Sequence, residues 1–280
     1  MAETTPLVEA RALELELPDM NAPRGFGPRP RVRILHPVSL TLRRGEILGI
    51  VGESGSGKTS LGRTLLRLHE PTGGAVLFDG NDITHRSQAD LRILRPRMQM
   101  IFQDPQSSLN PRRRVAASLS AALDLGAPGL RGPARRAALE EAARAVGLDP
   151  ALIDRFPHEL SGGQRQRVGI ARAIVTRPDF VLADEVVSGL DVSTQAQVLA
   201  LLKRLAAEMG LALAFISHDL SVIRALCDRV CVMRAGRIVE QGPCAALFEA
   251  PQTDYTRILL DAIPLPVPDP GWLERGAPAR

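Results

Sequence analysis

The sequence predicts an α/β fold in which a mostly parallel sheet, with an antiparallel β edge, carries an inserted α-helical sub-domain. Short apolar runs at residues 180–183 and 211–216 are flanked by segments of helical periodicity. Strands that alternate with helices in this way form parallel sheets that are covered on both faces. Residues 112–155 are instead rich in Ala, Leu, Arg and Glu, with Gly and Pro breaks at 126–133 and 147–150. That composition indicates a helical unit separate from the sheet.

The other elements follow from local patterns. Residues 8–17 alternate leucine with glutamate, which predicts an edge strand with one wet face. The Pro/Arg/Gly-rich residues 18–31 are typical of an exposed loop. Strands are expected at 38–42 and 45–51, and the second of these, which is largely apolar, leads towards a helix at 60–68 with leucines at helical spacing.

The composition is that of an ordinary globular protein. The 280 residues are 45% hydrophobic and 24% charged, so a full apolar core can form without disulfide or metal staples. The net charge of +4 does not indicate a nucleic-acid partner, because aromatic residues for base stacking make up only 3% and the arginines are scattered among acids. Four prolines in residues 264–270 favour an extended tail.

The sequence gives no sign of export or of a membrane span. Residues 1–6 lack the pattern of a signal peptide, and no stretch approaches the roughly 20 apolar residues that a spanning helix needs. We therefore expect a cytoplasmic location. The three cysteines, Cys227, Cys231 and Cys244, are odd in number and are not spaced as a zinc site, so we expect reduced structural thiols.

A phosphate-binding loop is predicted where the strand at 45–51 meets the helix at 60–68. Residues 52–59 read G-E-S-G-S-G-K-T, and Lys58 is one of only two lysines in the chain. The loop's N–H groups would wrap a phosphate, Lys58 would reach the β- and γ-phosphates, and the Thr59 hydroxyl would bind Mg²⁺. A glycine turn that merely joins a strand to a helix is the alternative. The predicted ATP-binding residues are Gly52, Glu53, Ser54, Gly55, Ser56, Gly57, Lys58, Thr59 and Ser60.

Two carboxylates follow the buried run at 180–183. Asp184 is expected to hold Mg²⁺, and Glu185 to orient and deprotonate the attacking water. An acid pair in this position is otherwise a solvated turn or a helix cap, but a phosphate loop at the same edge of the sheet favours the catalytic interpretation.

Two further polar residues are candidates. His218 follows the apolar run at 211–216 and could hydrogen-bond the γ-phosphate, although a lone histidine is more often structural. Gln103, which precedes a turn at 104–105, is ambiguous without its neighbours, because a polar amide in such a position is usually just exposed.

A second nucleotide contact is predicted at Ser161, Gly162, Gly163 and Gln164, which precede a segment of helical periodicity. Ser161 and Gln164 have the spacing of a capping box, which is the simpler interpretation. A cap does not require the two glycines, however. They would let a phosphate of another molecule approach bare N–H groups at a helix N-terminus.

Residues 160–164, L-S-G-G-Q, which we call the signature, complete an ordered set of motifs that resembles the ABC ATPases over residues 7–263. The resemblance implies a P-loop NTPase (RecA-like) core that uses ATP and Mg²⁺. It implies a head-to-tail dimer in which ATP on Lys58 of one subunit is closed over by residues 161–164 of the other.

The resemblance also assigns roles. It implies that Gln103 is a ligand that senses Mg²⁺ and reports to a membrane partner, that residues 188–191 form the inter-protomer loop, and that His218 is the switch histidine. Together with the residues at the strand ends, the catalytic set is then Glu185, His218 and Gln103, and the Mg²⁺ set is Thr59, Gln103 and Asp184.

The same resemblance divides the chain. It implies an ATPase domain at residues 7–250, whose core comprises 7–103 and 167–250 and whose helical sub-domain comprises 104–166. Residues 251–280 are then a C-terminal extension.

Residues 102–111, 155–160 and 254–264 narrow the resemblance to the ATPase subunits of oligopeptide, dipeptide and nickel importers, although Asp254 stands where proline is usual. This implies that the chain couples ATP hydrolysis to uptake of peptides or a similar small solute. The implied partners are membrane-spanning permease subunits, a second ATPase subunit of the same or a related chain and, indirectly, an extracytoplasmic solute-binding protein. The chain would lie on the cytoplasmic face of the membrane, and the transported solute is selected elsewhere.

Two residues depart from the family pattern. Leu17 stands where an aromatic residue stacks on adenine, so the base contact is expected to be either weaker or supplied by Phe26 or an arginine. Val186 replaces the proline after the catalytic acid. An exporter ATPase is the nearest alternative function. An ABC ATPase that acts on nucleic acid would need a very long coiled coil or a zinc module before the signature, and a non-transport regulator would lack Glu185 and His218.

Overall fold

The described part of the chain forms two β-sheets with helices packed around them. The computed structural model describes residues 5–20, 27, 29–103 and 109–262. The strands are β1 Val8–Pro18, β2 Arg31–Leu42, β3 Ile47–Val51, β4 Gly73–Phe78, β5 Asn81–Asp82, β6 Met98–Ile101, β7 Phe180–Asp184, β8 Ala212–Ile216, β9 Arg229–Arg234 and β10 Arg237–Pro243. The helices are α1 Lys58–Leu65, α2 Gln88–Leu94, α3 Val115–Gly126, α4 Gly132–Ala145, α5 Gly162–Ile174, α6 Val192–Met209, α7 Leu220–Leu226, α8 Cys244–Glu249 and α9 Asp254–Asp261.

The six-stranded central sheet has the order β10-β9-β3-β8-β7-β6. All pairs are parallel except β10 with β9. Every residue of β3, β7 and β8 is buried, as expected for parallel strands that are covered on both faces. The predicted α/β fold with a mostly parallel sheet is confirmed.

A separate antiparallel sheet, of order β2-β1-β4-β5, supplies the predicted antiparallel edge. In β1 the leucines at positions 13 and 15 are buried, while the glutamates between and after them are partly exposed. The strand β2 begins at Arg31 rather than at residue 38, so the predicted start of this strand is wrong. Arginines at exposed positions of β2 interrupt the apolar pattern that predicts a strand. One of them, Arg33, forms a cross-strand ion pair with Glu16.

Two apolar clusters fill the space on the two faces of the central sheet. One joins the central strands to the antiparallel sheet and α1, and the other joins them to the helices that follow residue 109. At Gly62 of α1, a Cβ atom would lie 2.7 Å from the Leu182 side chain, so α1 packs directly on β7. This close approach brings the start of α1 to the end of β7.

The Ala/Leu/Arg/Glu-rich segment forms α3 and α4, with a break between them as predicted. Arg135 of α4 donates to both carboxylate oxygens of Asp124 of α3. The predicted boundary between residues 166 and 167 falls inside α5, and the division into a core and a sub-domain stays a prediction.

The C-terminal part of the chain carries α9, which packs on the second cluster through Tyr255. The predicted tail at 264–270 lies outside the described residues. Within the portion of the chain that is described, no helix has the length and apolar character needed to span a bilayer. The three cysteines are buried free thiols, and burial raises the pKa of Cys231 to about 12.

Candidate nucleotide-binding site

The loop at residues 52–57 connects β3 to α1 at the carboxyl edge of the central sheet. Gly57, whose φ is 99°, caps the start of α1. At Gly52, a Cβ atom would lie 2.1 Å from the carbonyl oxygen of Met233, so only glycine fits there. The N–H groups of the first turn of α1 have no intrahelical acceptor, and the helix dipole is positive at this end. The predicted loop therefore has the geometry that favours a phosphate.

The ammonium group of Lys58 is held at the centre of this loop. The side chain is only 6% exposed, and its Nζ donates to the carbonyl oxygens of Gly52 at 2.7 Å and Glu53 at 2.8 Å. Burial lowers the pKa of Lys58, while the negative charges of Glu185 and Asp184 oppose that shift. The loop therefore holds a buried point charge through two of its own carbonyl oxygens.

A hydroxyl and a carboxylate meet next to the loop. Thr59 Oγ1 donates to Asp184 Oδ1 at 2.9 Å, and Asp184 is only 3% exposed. Burial raises the pKa of Asp184, and the bond from Thr59 opposes that shift. These are hard oxygen donors beside a phosphate-type loop, and a bound divalent cation would offset the cost of the buried charge. The two residues therefore fit Mg²⁺.

Two of the three predicted catalytic residues, Gln103 and His218, lie beside the carboxylate of the third, Glu185. Gln103 Nε2 donates to Glu185 Oε2 at 3.0 Å, and His218 Nδ1 lies 3.4 Å from Glu185 Oε1. Glu185 has a φ of 48°, in the left-handed region that a side chain adopts at a cost, and its N–H donates to the carbonyl of Ile216 at the end of β8. The turn after β7 thus directs this carboxylate between the other two residues.

Gln166 contacts the turn that carries Glu185, although the sequence analysis did not identify it as a candidate residue. It lies on α5, is only 1% exposed, and its Nε2 donates to the carbonyl oxygen of Val186 at 2.6 Å. This bond links α5 to the residue that follows Glu185. The signal was present, because Gln166 lies on the same apolar stripe of α5 as Ile170 and Ala173.

The second predicted contact lies at the start of α5. Ser161 Oγ accepts from the N–H of Gln164 at 3.2 Å, and Gln164 Oε1 accepts from the N–H of Ser161 at 2.9 Å, so the capping box forms. A cavity of about 380 Å³ opens in front of it, lined by Ser161, Gly163, Gln164, Arg167, Thr194, Gln197 and Val198. None of residues 52–60 lines this cavity. A single chain therefore does not bring the two predicted ATP contacts together there.

Leu17 occupies the position where the family resemblance implies contact with the adenine base. Leu17 is half-buried, and its partner in the β1–β2 ladder is Val32. Phe26, the proposed substitute, lies outside the described residues.

Comparison with known proteins gives one family. The family model described as ABC transporter matches residues 35–188. A Brucella ovis protein whose name describes a peptide import ATP-binding protein is 48% identical over 265 residues, which cover 95% of this chain and 81% of the relative. The oligopeptide transport ATP-binding protein OppF of Bacillus subtilis is 47% identical over 243 residues, which cover 86% of this chain and 80% of the relative.

Solved structures give the same result. A dimeric post-hydrolysis structure of the ATP-binding cassette MJ0796 bound to ADP and Pi has a TM-score of 0.73 at 26% identity, and the match covers 85% of this chain and 98% of that one. The structure of cbiO1 from Clostridium perfringens, part of the transporter complex cbiONQ, has a TM-score of 0.74 at 28% identity and covers 88% and 91%.

Proposed function

Because the chain belongs to the ABC transporter family of ATP-binding proteins, we propose that it is the ATP-hydrolysing subunit of an importer for peptides or a similar small solute such as nickel. The observation that carries the proposal is the convergence of Gln103 and His218 on the carboxylate of Glu185, next to the Lys58 loop. The names of its relatives, which describe peptide import and oligopeptide transport, support the substrate class.

Hydrolysis needs a phosphate cradle, a base and a cation site. The loop with Lys58 binds the phosphates, and Glu185 takes the proton of the attacking water while His218 and Gln103 keep its carboxylate oriented. Thr59, Asp184 and the amide oxygen of Gln103 would hold Mg²⁺, which neutralises charge that develops on the phosphates.

The working unit in this proposal is a dimer. The cavity at Ser161 and Gly163 contains none of residues 52–60, which supports a signature that acts on nucleotide carried by another subunit. ATP on Lys58 is then closed over by residues 161–164 of a second copy or of a related chain. The dimeric structures of MJ0796, one of them bound to ADP and Pi, support a dimeric working unit.

The membrane partners have a candidate docking surface. A groove of about 590 Å³, which we call the lateral groove, runs between β6 and α3. Leu68, Phe102 and Leu125 line it and are about half exposed, and Phe102 directly precedes Gln103. A permease segment bound in the lateral groove would lie next to a residue that contacts the catalytic base. We propose that permease subunits, served by an extracytoplasmic solute-binding protein, dock here and hold the chain at the cytoplasmic face.

Affinity purification of the tagged chain from solubilised membranes of its own host tests this proposal. We expect permease subunits to co-purify with the wild type and to be lost with Leu125→Glu, which places a charge in the lateral groove. Ile93→Glu is the matched control, because Ile93 is 79% exposed and does not line the groove. Recovery of no membrane protein, or equal recovery with both variants, would contradict the docking proposal.

Uptake measurements address the substrate. In a host strain that lacks the chain, uptake of labelled tripeptide and of ⁶³Ni²⁺ is compared with and without the complementing gene. We expect complementation to restore one of the two, and restoration of neither would contradict the importer proposal.

A further inference from the structure

The C-terminal helix α9 contacts the phosphate loop directly. The hydroxyl oxygen of Tyr255 accepts from the N–H of Glu53 at 3.3 Å, across 202 positions of sequence. The Tyr255 side chain is only 7% exposed, and the contact that its hydroxyl makes with the exposed residue Glu53 is partly buried. A residue of the C-terminal segment therefore takes part in the environment of the loop.

The contact falls on one particular peptide group. The N–H of Glu53 belongs to the peptide that also contains the carbonyl of Gly52, and that carbonyl accepts from Lys58 Nζ at 2.7 Å. Tyr255 and Lys58 therefore hold the same peptide from its two ends. Hydrogen bonds at both ends of an amide polarise it and strengthen each other. The orientation of this peptide fixes where the Lys58 ammonium lies.

The position of Tyr255 is itself set by several contacts. Glu240 of β10 accepts from the N–H groups of Gln252 at 2.8 Å and Thr253 at 3.1 Å, immediately before α9. Thr253 caps the helix by accepting from the N–H of Thr256. The guanidinium of Arg234 lies 4.8 Å from the centre of the Tyr255 ring. The ring is therefore held from β9 and β10 as well as from α9.

The Tyr255 hydroxyl stays protonated at neutral pH. Burial raises its pKa above the ordinary value, although the N–H of Glu53 opposes the shift. A neutral hydroxyl accepts from an N–H group and still has a proton to donate. The contact thus does not place a second charge beside Lys58.

We propose that Tyr255 is a positioning residue for ATP binding, which acts through the Gly52–Glu53 peptide on Lys58. The inference rests on the proposed function, since it assumes that the loop binds the phosphates of ATP. It assigns a role in the nucleotide site to a helix that begins well beyond residue 188, where the match to the family model ends.

The proposal predicts a specific kinetic pattern. A loop that loses one of the bonds that order it spends a smaller fraction of time in the binding-competent form, and the apparent affinity falls by that fraction. Tyr255 does not touch the reacting groups, so turnover at saturating ATP is retained. Losing one hydrogen bond corresponds to an about 2- to 12-fold change in an equilibrium constant.

Tyr255→Phe tests this step, because it removes the hydroxyl and keeps the buried ring. We expect the Kd for ATP and the KM to rise about 2- to 12-fold, with kcat unchanged within about twofold. The matched control is Ile258→Ala, an exposed position of α9, which should leave all three constants as in the wild type. A variant that merely loosened α9 would shift the thermal midpoint without this separation of KM from kcat.

A spectroscopic measurement adds a second readout. Tyr255 is the only tyrosine in the chain, so untagged protein grown with 3-fluorotyrosine gives one ¹⁹F resonance. We expect that resonance to shift on titration with ADP, at the Kd that calorimetry gives. An unmoved resonance, or a Tyr255→Phe variant with wild-type KM, would overturn the proposal.

Lys58→Ala distinguishes a failure of the Tyr255 role from a failure of the proposed phosphate site. Lys58→Ala should abolish nucleotide binding if residues 52–59 are the phosphate site. If it does so while Tyr255→Phe has no effect, only the positioning role of Tyr255 fails. If Lys58→Ala still binds nucleotide with wild-type affinity, the proposed phosphate site itself fails, and the role of Tyr255 with it.

Discussion

Replacing Gln166 by leucine should destabilise the fold and slow ATP hydrolysis, because it removes the amide that holds the turn after Glu185, the proposed base. The Nε2 of Gln166 donates to the Val186 carbonyl at 2.6 Å, and both residues are 1% exposed, so no water replaces the lost donor. A buried carbonyl left without a partner costs about 1–3 kcal/mol. We expect the free energy of unfolding to fall by that amount.

The effect on catalysis follows from the neighbouring residue. Glu185 has a left-handed backbone, with a φ of 48°, that the surrounding contacts must hold against a cost of about 1–2 kcal/mol. Without Gln166, this turn can relax and displace the carboxylate. A misplacement of about 1 Å costs on the order of 10²-fold in rate, so we expect kcat to fall by about 10- to 100-fold.

Equilibrium urea unfolding and steady-state phosphate release measure the two effects. Gln88→Leu is the control, since Gln88 lies on α2 and is exposed, and it should change the free energy of unfolding by less than about 0.5 kcal/mol. A Gln166→Leu protein with wild-type stability and wild-type kcat would refute the role of this bond.

Three other substitutions test the site. Glu185→Gln should retain ATP binding, lower kcat by about 10²- to 10⁴-fold and make an ATP-dependent dimer persist in size-exclusion chromatography, and full hydrolysis would exclude Glu185 as the base. Lys58→Arg should lose most ATP affinity by calorimetry, because a planar fork cannot replace a point charge held between two carbonyls of the loop, and unchanged binding would count against the cradle. Burial raises the pKa of Asp184 in the folded protein above its unfolded-state pKa of about 4. The free energy of unfolding therefore falls as the pH rises from the unfolded-state pKa through the folded-state pKa, because the folded protein must then bury the ionised carboxylate. Asp184→Asn should therefore raise the urea midpoint at pH 7 while hydrolysis is lost, and a lower midpoint would show that the buried charge is compensated.

Much of the fold could be predicted because its central strands are locally encoded. The strands β3, β7 and β8 are short apolar runs with every residue buried, and such runs are visible without tertiary information. The first half of β2 was missed because arginines occupy its exposed positions, and their cross-strand partners on β1 cannot be seen in a local window. The two-residue β5 and the four-residue β6 are too short to show a period.

The candidate site was predictable for a related reason. Glu185 and His218 follow parallel neighbouring strands, and the carboxyl ends of such strands meet at one edge of a sheet. Gln166 and Tyr255 act through side-chain contacts with segments 20 and 202 positions away, so only the folded chain pairs them with Val186 and Glu53.

The contacts around Glu185 indicate which part of the proposed ATP site one chain can form alone. Gln103 and His218 each engage one oxygen of the carboxylate, and an ionised carboxylate has about four lone-pair positions in total. Each oxygen thus keeps a lone-pair position that could accept a proton from water. Gln103 and His218 therefore orient the carboxylate of the proposed base without occupying all of its acceptor positions. The signature cavity, in contrast, contains no residue of the phosphate loop. In the proposed function, one chain therefore contributes the acid–base residues, and the step that a second subunit would control is the closure of the signature over bound nucleotide.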